Sequence, residues 1–265
     1  MLLQALLGLY AAVLGLIVGS YLNVVVYRLP RGISTVLPRS RCPGCGEVIR
    51  ARDNVPVLSF LLLGGRCRAC RTRISWRYPL IEATTAALFV ACFLRFGVTP
   101  AAPVAALFGC LMLTLAIIDI DHMILPDVLT WPGIALGILL QPLLPWARLG
   151  DGPWRAMAGA AVGALLGGGV LLAVWLGWYL IRHEEGMGLG DVKMLAAIGA
   201  FLGWKGALVA LFFAALSGAT VGLALMSWGS LGARSKLPFG AFLALGGLVA
   251  LFAGEPLVRA YARLL

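Results

Sequence analysis

The sequence predicts an all-α polytopic membrane protein of about eight transmembrane helices, with a small four-cysteine insertion after the first. Three observations carry that expectation. Of the 265 residues, 61% are hydrophobic and 12% charged, and mean hydropathy is +0.97. A soluble domain of this length has no use for so much apolar surface. The apolar residues also fall in runs of roughly 18 or more, the length that crosses a bilayer. Finally, arginine and cysteine crowd into one stretch, 28–77, rather than spreading along the chain.

Taken in order, the apolar runs cover about 2–26, 80–96, 101–120, 126–146, 156–181, 191–204, 206–228 and 238–258. The first is too long and too apolar at both flanks for a cleaved signal peptide, and no small-residue cleavage site follows it. The sixth is short, as a tilted or incomplete span would be. Glycine occurs 34 times, and Gly159, Gly163 and Gly167 repeat at every fourth position of the fifth run. That spacing lets helix backbones approach closely, first of all within one chain. Trp131, Trp146, Trp154, Trp178, Trp204 and Trp228 stand near run ends, where interfacial anchors sit. No internal repeat marks two like halves, which argues against one common transporter architecture.

Stretch 28–77 holds eleven of the 21 basic residues, all arginine, against only Glu47 and Asp53. Arginine-rich loops stay in the cytosol. This places the N-terminus outside and loop 28–77 inside. Counting onward, 119–127, 182–191 and 229–237 are also inside, in agreement with Arg182, Lys193, Arg234 and Lys236. Arg95, Arg148, Arg155 and Lys205 fall outside. The basic loop lacks the stacking aromatics of a nucleic-acid binder, so no nucleic acid is expected. Attraction to anionic lipid suits it better.

The expected organisation is a first transmembrane helix over 1–27, a cytosolic cysteine domain over 28–79 and a helical membrane domain over 80–265. About fifty residues rarely fold on their own core. Cys42-Pro-Gly-Cys45 and, after 21 residues, Cys67-Arg-Ala-Cys70 match a four-thiolate zinc ribbon. A reducing cytosol favours metal over disulfides. Two disulfides remain the alternative should the topology be inverted. Cys92 and Cys110, inside apolar runs, read as small packing residues.

Two acids lie where apolar runs meet the inner face. Asp119 follows Leu115-Ala-Ile-Ile118 directly, so it should lie deepest. A charge at mid-bilayer costs roughly 2.5–3.5 kcal/mol on insertion scales, which implies a wet cleft or a partner. Asp191 ends Gly188-Leu-Gly190-Asp191, where Gly188 and Gly190 bare the backbone as a flexible approach for an extended peptide. A helix cap alone would accept asparagine or serine. Two nearby carboxylates titrate as a pair. One can take a proton from water while the other protonates an amide oxygen. Asp127, after Pro126, reads as a first-turn acid, and Asp121 as a solvated one. His122 shares the Asp119 face. The roles of Asp121, His122, Asp127 and Lys193 are not readable. His122 and His183 lack a metal-site helix motif, and neither G-x-S-x-G nor G-x-x-x-x-G-K occurs. A proton-coupled transporter using the same acids as a relay, and a membrane scaffold, stay open as alternatives.

Seven motifs then stand in one order: Gly19-Ser20-Tyr-Leu-Asn23 through Arg28-Leu-Pro30; Ser40-Arg-Cys42-Pro-x-Cys45; Asp53-Asn54-Val-Pro56; Gly65-Arg-Cys67-Arg-x-Cys70; Ile74-Ser75-x-Arg77-Tyr78-Pro79-Leu-Ile-Glu82; Asp119-Ile-Asp121-His122 through Pro126-Asp127; and Glu185-Gly-Met-Gly188-x-Gly190-Asp191. Together they resemble the bacterial type IV prepilin peptidases, membrane aspartic proteases with a G-x-G-D motif. The resemblance implies cleavage of the basic leader of prepilins and pseudopilins, after glycine, on the cytosolic side of the bacterial inner membrane. It implies service to type IV pili or type II secretion. Members with the four-cysteine loop also N-methylate the new terminus from S-adenosylmethionine. By motif, Asp119 and Asp191 become the catalytic pair, and Cys42, Cys45, Cys67 and Cys70 the zinc ligands. No methyl-donor loop is readable; Asn23, Arg28 and Glu82 are the candidates for that site.

Overall fold

The computed structural model describes residues 1–145, 152–184, 187–228 and 237–263. Trp146, Arg148, Glu185, Gly186, Arg234 and Lys236 lie outside the described residues. Eight α-helices form among the described residues: α1 (Leu2–Arg28), α2 (Leu58–Leu62), α3 (Arg77–Phe96), α4 (Ala101–His122), α5 (Asp127–Leu140), α6 (Pro153–Arg182), α7 (Leu189–Ser227) and α8 (Phe239–Ala262). No strand forms among the described residues, only two isolated bridges, Arg41 with Val48 and Arg66 with Arg73. Among the described residues six helices are long and apolar enough to cross a membrane, and α5 with its following turn is a shorter apolar segment. The sixth and seventh expected spans are continuous in α7 except at Gly203. Its φ of 70° and ψ of 174° break the helix where a side chain would be strained.

The chain divides into two compact units, Met1–Ala106 and Leu107–Leu265. In the first, α1 packs on α3 with almost no side chain between them. A Cβ on Gly15 would lie 2.6 Å from the Ala86 Cα, and one on Gly19 would lie 2.8 Å from the Glu82 Cα. Those two glycines, four apart, are what lets the backbones touch. The remaining faces of α1 show Leu3, Leu6, Leu9 and Ile17 outward. Such outward apolar residues suit lipid rather than water.

In the second unit the core is built from α4, α7 and α8. Met112, Leu115 and Ile118 of α4, Met194 and Ile198 of α7, and Leu243 of α8 are fully buried. Phe108 stacks at a tilt on Phe201, with ring centroids 5.1 Å apart. The small-residue run in α6 packs within the chain, as expected. A Cβ on Gly163 would meet the Gly199 carbonyl oxygen at 2.3 Å, and one on Gly167 would meet that of Leu195 at 2.7 Å. α8 closes on α7 in the same way, with Gly246 against the Ala210 carbonyl.

Two turns set the depth at which the acids lie. α4 ends at Met123, whose φ of 52° is left-handed and whose N–H donates to the Asp119 carbonyl at 2.8 Å. Pro126 then caps α5 in an extended conformation, which makes Asp127 its first helical residue. Proline fits there because that N–H has no helical partner to lose.

Because Gly199 meets backbone rather than a movable side chain, Gly199→Ala should destabilise the second unit by about 2 kcal/mol. The check is the melting temperature in detergent, with Gly177→Ala, which meets nothing within 4 Å, as the control. Equal melting of the two variants would refute the close crossing.

Candidate active site

Asp119 and Asp191 both sit in the second unit and both are buried, at 5% and 8% exposure. Asp119 stands one turn from the end of α4, with Leu115 and Ile118 on its buried side. Asp191 stands in the first turn of α7, and its N–H donates to the Gly188 carbonyl at 3.1 Å. The helix cap is Gly188, and no side chain caps it. The Gly188 N–H in turn reaches the Asp191 carboxyl, as the cap residue's amide does with an acid in the first turn. It lies close enough to Asp119 for the two charges to act on each other.

The start of α8 supplies what the Asp119 carboxylate needs. Its Oδ2 accepts the Ala241 N–H at 3.1 Å, and the Gly240 N–H also donates to this carboxyl. These are first-turn amides at the positive end of the helix dipole, and the Ala241 N–H is shared with the Pro238 carbonyl at 3.3 Å. Gly240 is required by closeness: a Cβ there would lie 2.9 Å from Asp119 Oδ2 and 3.0 Å from Leu125 Cδ1. Gly190 has the same neighbour, since its Cβ would lie 2.8 Å from the Leu125 Cβ. Leu125 thus wedges the first turns of α7 and α8 together over the α4–α5 turn.

This corrects the sequence reading of the two glycines. Gly188 is extended, with φ −74° and ψ 140°, but Gly190 is already helical. Its lack of a side chain answers to Leu125, not to a flexible approach. Lys193, whose role the sequence does not show, forms an ion pair with Asp127, joining the start of α7 to the start of α5. Asp121 is exposed and His122 half-buried at the end of α4. Sequence reasoning misses Gly240, Ala241 and Leu125. The only available signal is Pro238-Phe239-Gly240 opening an apolar run, a helix start whose amides point somewhere.

In the first unit the four knuckle cysteines converge, their sulfurs all within 4.8 Å of one another. All six cysteines are free, so the disulfide alternative is not realised. The two knuckles match atom for atom. The Gly46 N–H donates to the Cys42 carbonyl at 2.8 Å and the Arg71 N–H to that of Cys67 at 3.1 Å. The Cys42 and Cys67 N–H groups donate to the Glu47 and Thr72 carbonyls, both at 2.9 Å. Gly46 and Arg71 share a left-handed φ, 71° and 59°. Asp53 accepts from Arg68 through both Nε and Nη2, tying the intervening segment to the second knuckle.

The Cys42 and Cys70 sulfurs are 3.7 Å apart, close to the roughly 3.8 Å that tetrahedral ligands with 2.3 Å metal–sulfur bonds would keep. The Thr72 hydroxyl, then its N–H, brings the Cys70 thiol down to about 6. The Glu47 backbone lowers Cys45, but Cys70, burial and Cys42 outweigh it and push that thiol up to about 12. The four thiols could hold a metal ion.

The three methyl-donor candidates each bond to backbone groups. Asn23 donates through Nδ2 to the Gly19 and Tyr78 carbonyls, at 3.3 and 3.2 Å. Glu82 accepts the Val57 N–H at 2.7 Å. Arg28 donates to the Ser34 carbonyl at 2.9 Å. Asn23 and Glu82 are buried and serve as struts within the unit.

Residues 13–96 match the bacterial peptidase A24 N-terminal domain, and residues 106–223 match the type IV leader peptidase family. The chain is 40% identical over 273 residues to a prepilin leader peptidase/N-methyltransferase of Burkholderia pseudomallei (strain 1026b), covering 93% of this chain and 85% of that protein. The chain belongs to the type IV leader peptidase family. A relative of the same name from Myxococcus xanthus is 44% identical over 87% of this chain and 67% of its own length. One from Pseudomonas aeruginosa is 36% identical over 94% and 91%. No solved structure matches the chain.

Purified protein should carry about one metal ion per chain in the four-thiol cage. Cys67→Ser should drop that content to well below one by elemental analysis. Undiminished metal in the variant would place the ion elsewhere.

Proposed function

We propose that this protein is an aspartic endopeptidase of the bacterial cytoplasmic membrane that removes the basic leader of prepilins and pseudopilins, and that it then N-methylates the new terminus. The observation that carries the peptidase reading is the buried Asp119–Asp191 pair with α8 amides on one carboxylate. Cleavage falls after glycine, at the cytosolic membrane face, with the N-terminus of the enzyme outside. Residues 28–79 form a cytosolic insertion and 80–265 the membrane peptidase domain.

Asp119, whose carboxylate the α8 amides hold in place, takes the role of base. It accepts a proton from water as the water oxygen bonds to the carbonyl carbon. Asp191 gives its proton to the carbonyl oxygen. When the intermediate collapses, a hydroxyl returns its proton to Asp191 as the C=O re-forms, the C–N bond breaks and the amine leaves with the proton that Asp119 held. One water is consumed. A substrate that is itself a membrane helix with a charged leader presents its junction at the depth where these acids sit. Gly188, with its extended backbone, is the segment beside which that junction would lie.

Cys42, Cys45, Cys67 and Cys70 would hold a structural zinc ion that folds the loop, adding no catalytic step. S-adenosylmethionine supplies the methyl group for the freed amine.

The test incubates purified enzyme with a pilin precursor and tracks leader loss by mass. Asp119→Ala and Asp191→Ala should each lower the rate by about 100- to 10,000-fold. Gly240→Ala, which crowds Asp119 without removing it, should lower kcat about tenfold with KM little changed. Retained cleavage in Asp119→Ala would remove the mechanism and leave the family membership standing.

A further inference from the structure

The first unit carries an open cleft of about 280 Å³ beside the last turn of α1 and the chain after it. Its lining is of two chemical kinds. Val36, Pro38 and Ile49 give it apolar surface, and Arg28, Arg39 and Asn54 bring charge and amide. Arg28 spends one nitrogen on the Ser34 carbonyl. Arg39 makes no ion pair or hydrogen bond among the described residues, and neither does the side chain of Asn54. The nearby acid, Asp53, is already occupied by Arg68. Nothing in this polar lining beyond that Arg28 bond is therefore needed to hold the loop together.

The segment bearing Asn54 is fixed by unusual means. The Ser59 hydroxyl accepts the Val55 N–H at 2.9 Å and donates to the Arg52 carbonyl at 3.1 Å. Val57, a β-branched residue, takes φ 59° and ψ −49°, a conformation that its side chain disfavours. Its N–H is held there by the buried Glu82 carboxylate. Strain secured by a buried charge is a means of fixing one loop geometry. It explains why Glu82 serves as a strut although it lines no part of the cleft.

We propose that this cleft is the methyl-donor site, a proposal that rests on the methyltransferase reading above. S-adenosylmethionine combines a flat purine, a carboxylate and an ammonium. The apolar surface takes the purine, the arginine forks take the carboxylate in the bidentate fashion that they favour, and the Asn54 carbonyl takes the ammonium. The volume of about 280 Å³ falls just below the roughly 300–1,000 Å³ of ligand pockets, so the cleft encloses only part of the molecule. The reactive carbon therefore stays at the open mouth, where a peptide N-terminus reaches it.

The experiment measures equilibrium binding of two probes to the full chain in detergent. One is S-adenosylhomocysteine, and the other is methylthioadenosine, which lacks the carboxylate and the ammonium. Arg39→Ala should weaken S-adenosylhomocysteine about tenfold, as loss of a charge-assisted hydrogen bond does, and leave methylthioadenosine unchanged. Val36→Trp, which fills the cleft at its apolar surface, should weaken both by at least about tenfold. Metal content and melting temperature report that each variant is folded. Unchanged affinities in both variants, with wild type still adding a methyl group to the cleaved product, would overturn the cleft and keep the methyltransferase reading. Wild type that neither binds S-adenosylhomocysteine nor adds the methyl would sink both.

Discussion

Burying two carboxyl groups in an apolar bundle is a cost that the packing of the second unit must meet. A lone acid at mid-membrane costs roughly 2.5–3.5 kcal/mol on insertion scales. The bundle offsets this by bringing a helix start to each acid. α8 lends its first-turn amides to Asp119, and α7 carries Asp191 in its own first turn. Both starts must therefore lie at one level. Leu125 sets that level, with Gly190 and Gly240 kept bare to receive it. The bare backbone crossings deeper in the bundle, Gly163 on Gly199 and Gly246 on Ala210, hold the same helices in register.

The two units solve different problems. The second has enough apolar surface to pack by itself and spends it on close helix contact. The stretch between α1 and α3 has too little core, and it draws on other resources: four thiols, an arginine–carboxylate fork and a buried glutamate that reaches across from α3. Each is a polar device standing where a larger domain would place leucine. Those devices leave part of the arginine complement unpaired. Arg39 can therefore face a cleft at no cost to the loop.

What the sequence makes legible depends on what leaves a compositional trace. Apolar runs show spans, so the all-α class and most helix limits are readable. Asp119 and Asp191 stand out because an acid in such a run is conspicuous, and the cysteine knuckles because their spacing is. Backbone donors leave no such trace. Gly240 and Ala241 look like any small residues, and their function is visible only once α8 is set beside α4. Gly190 reads as flexibility because the sequence does not show Leu125 approaching it from 65 positions away. The Lys193–Asp127 pair is hidden in the same way, as is the break at Gly203, since one glycine among 34 carries little information.

The convergence of the two acids can be measured without reference to catalysis. Asp119→Cys and Asp191→Cys would be combined in a chain with Cys92 and Cys110 replaced by alanine, and treated with a short bifunctional thiol reagent. Mass mapping after proteolysis should recover α4 and α7 peptides joined within one chain, in high yield. If both thiols are alkylated singly by a monofunctional reagent but are never bridged by the bifunctional one, the acids do not meet, and the proposed mechanism has no site in which to run.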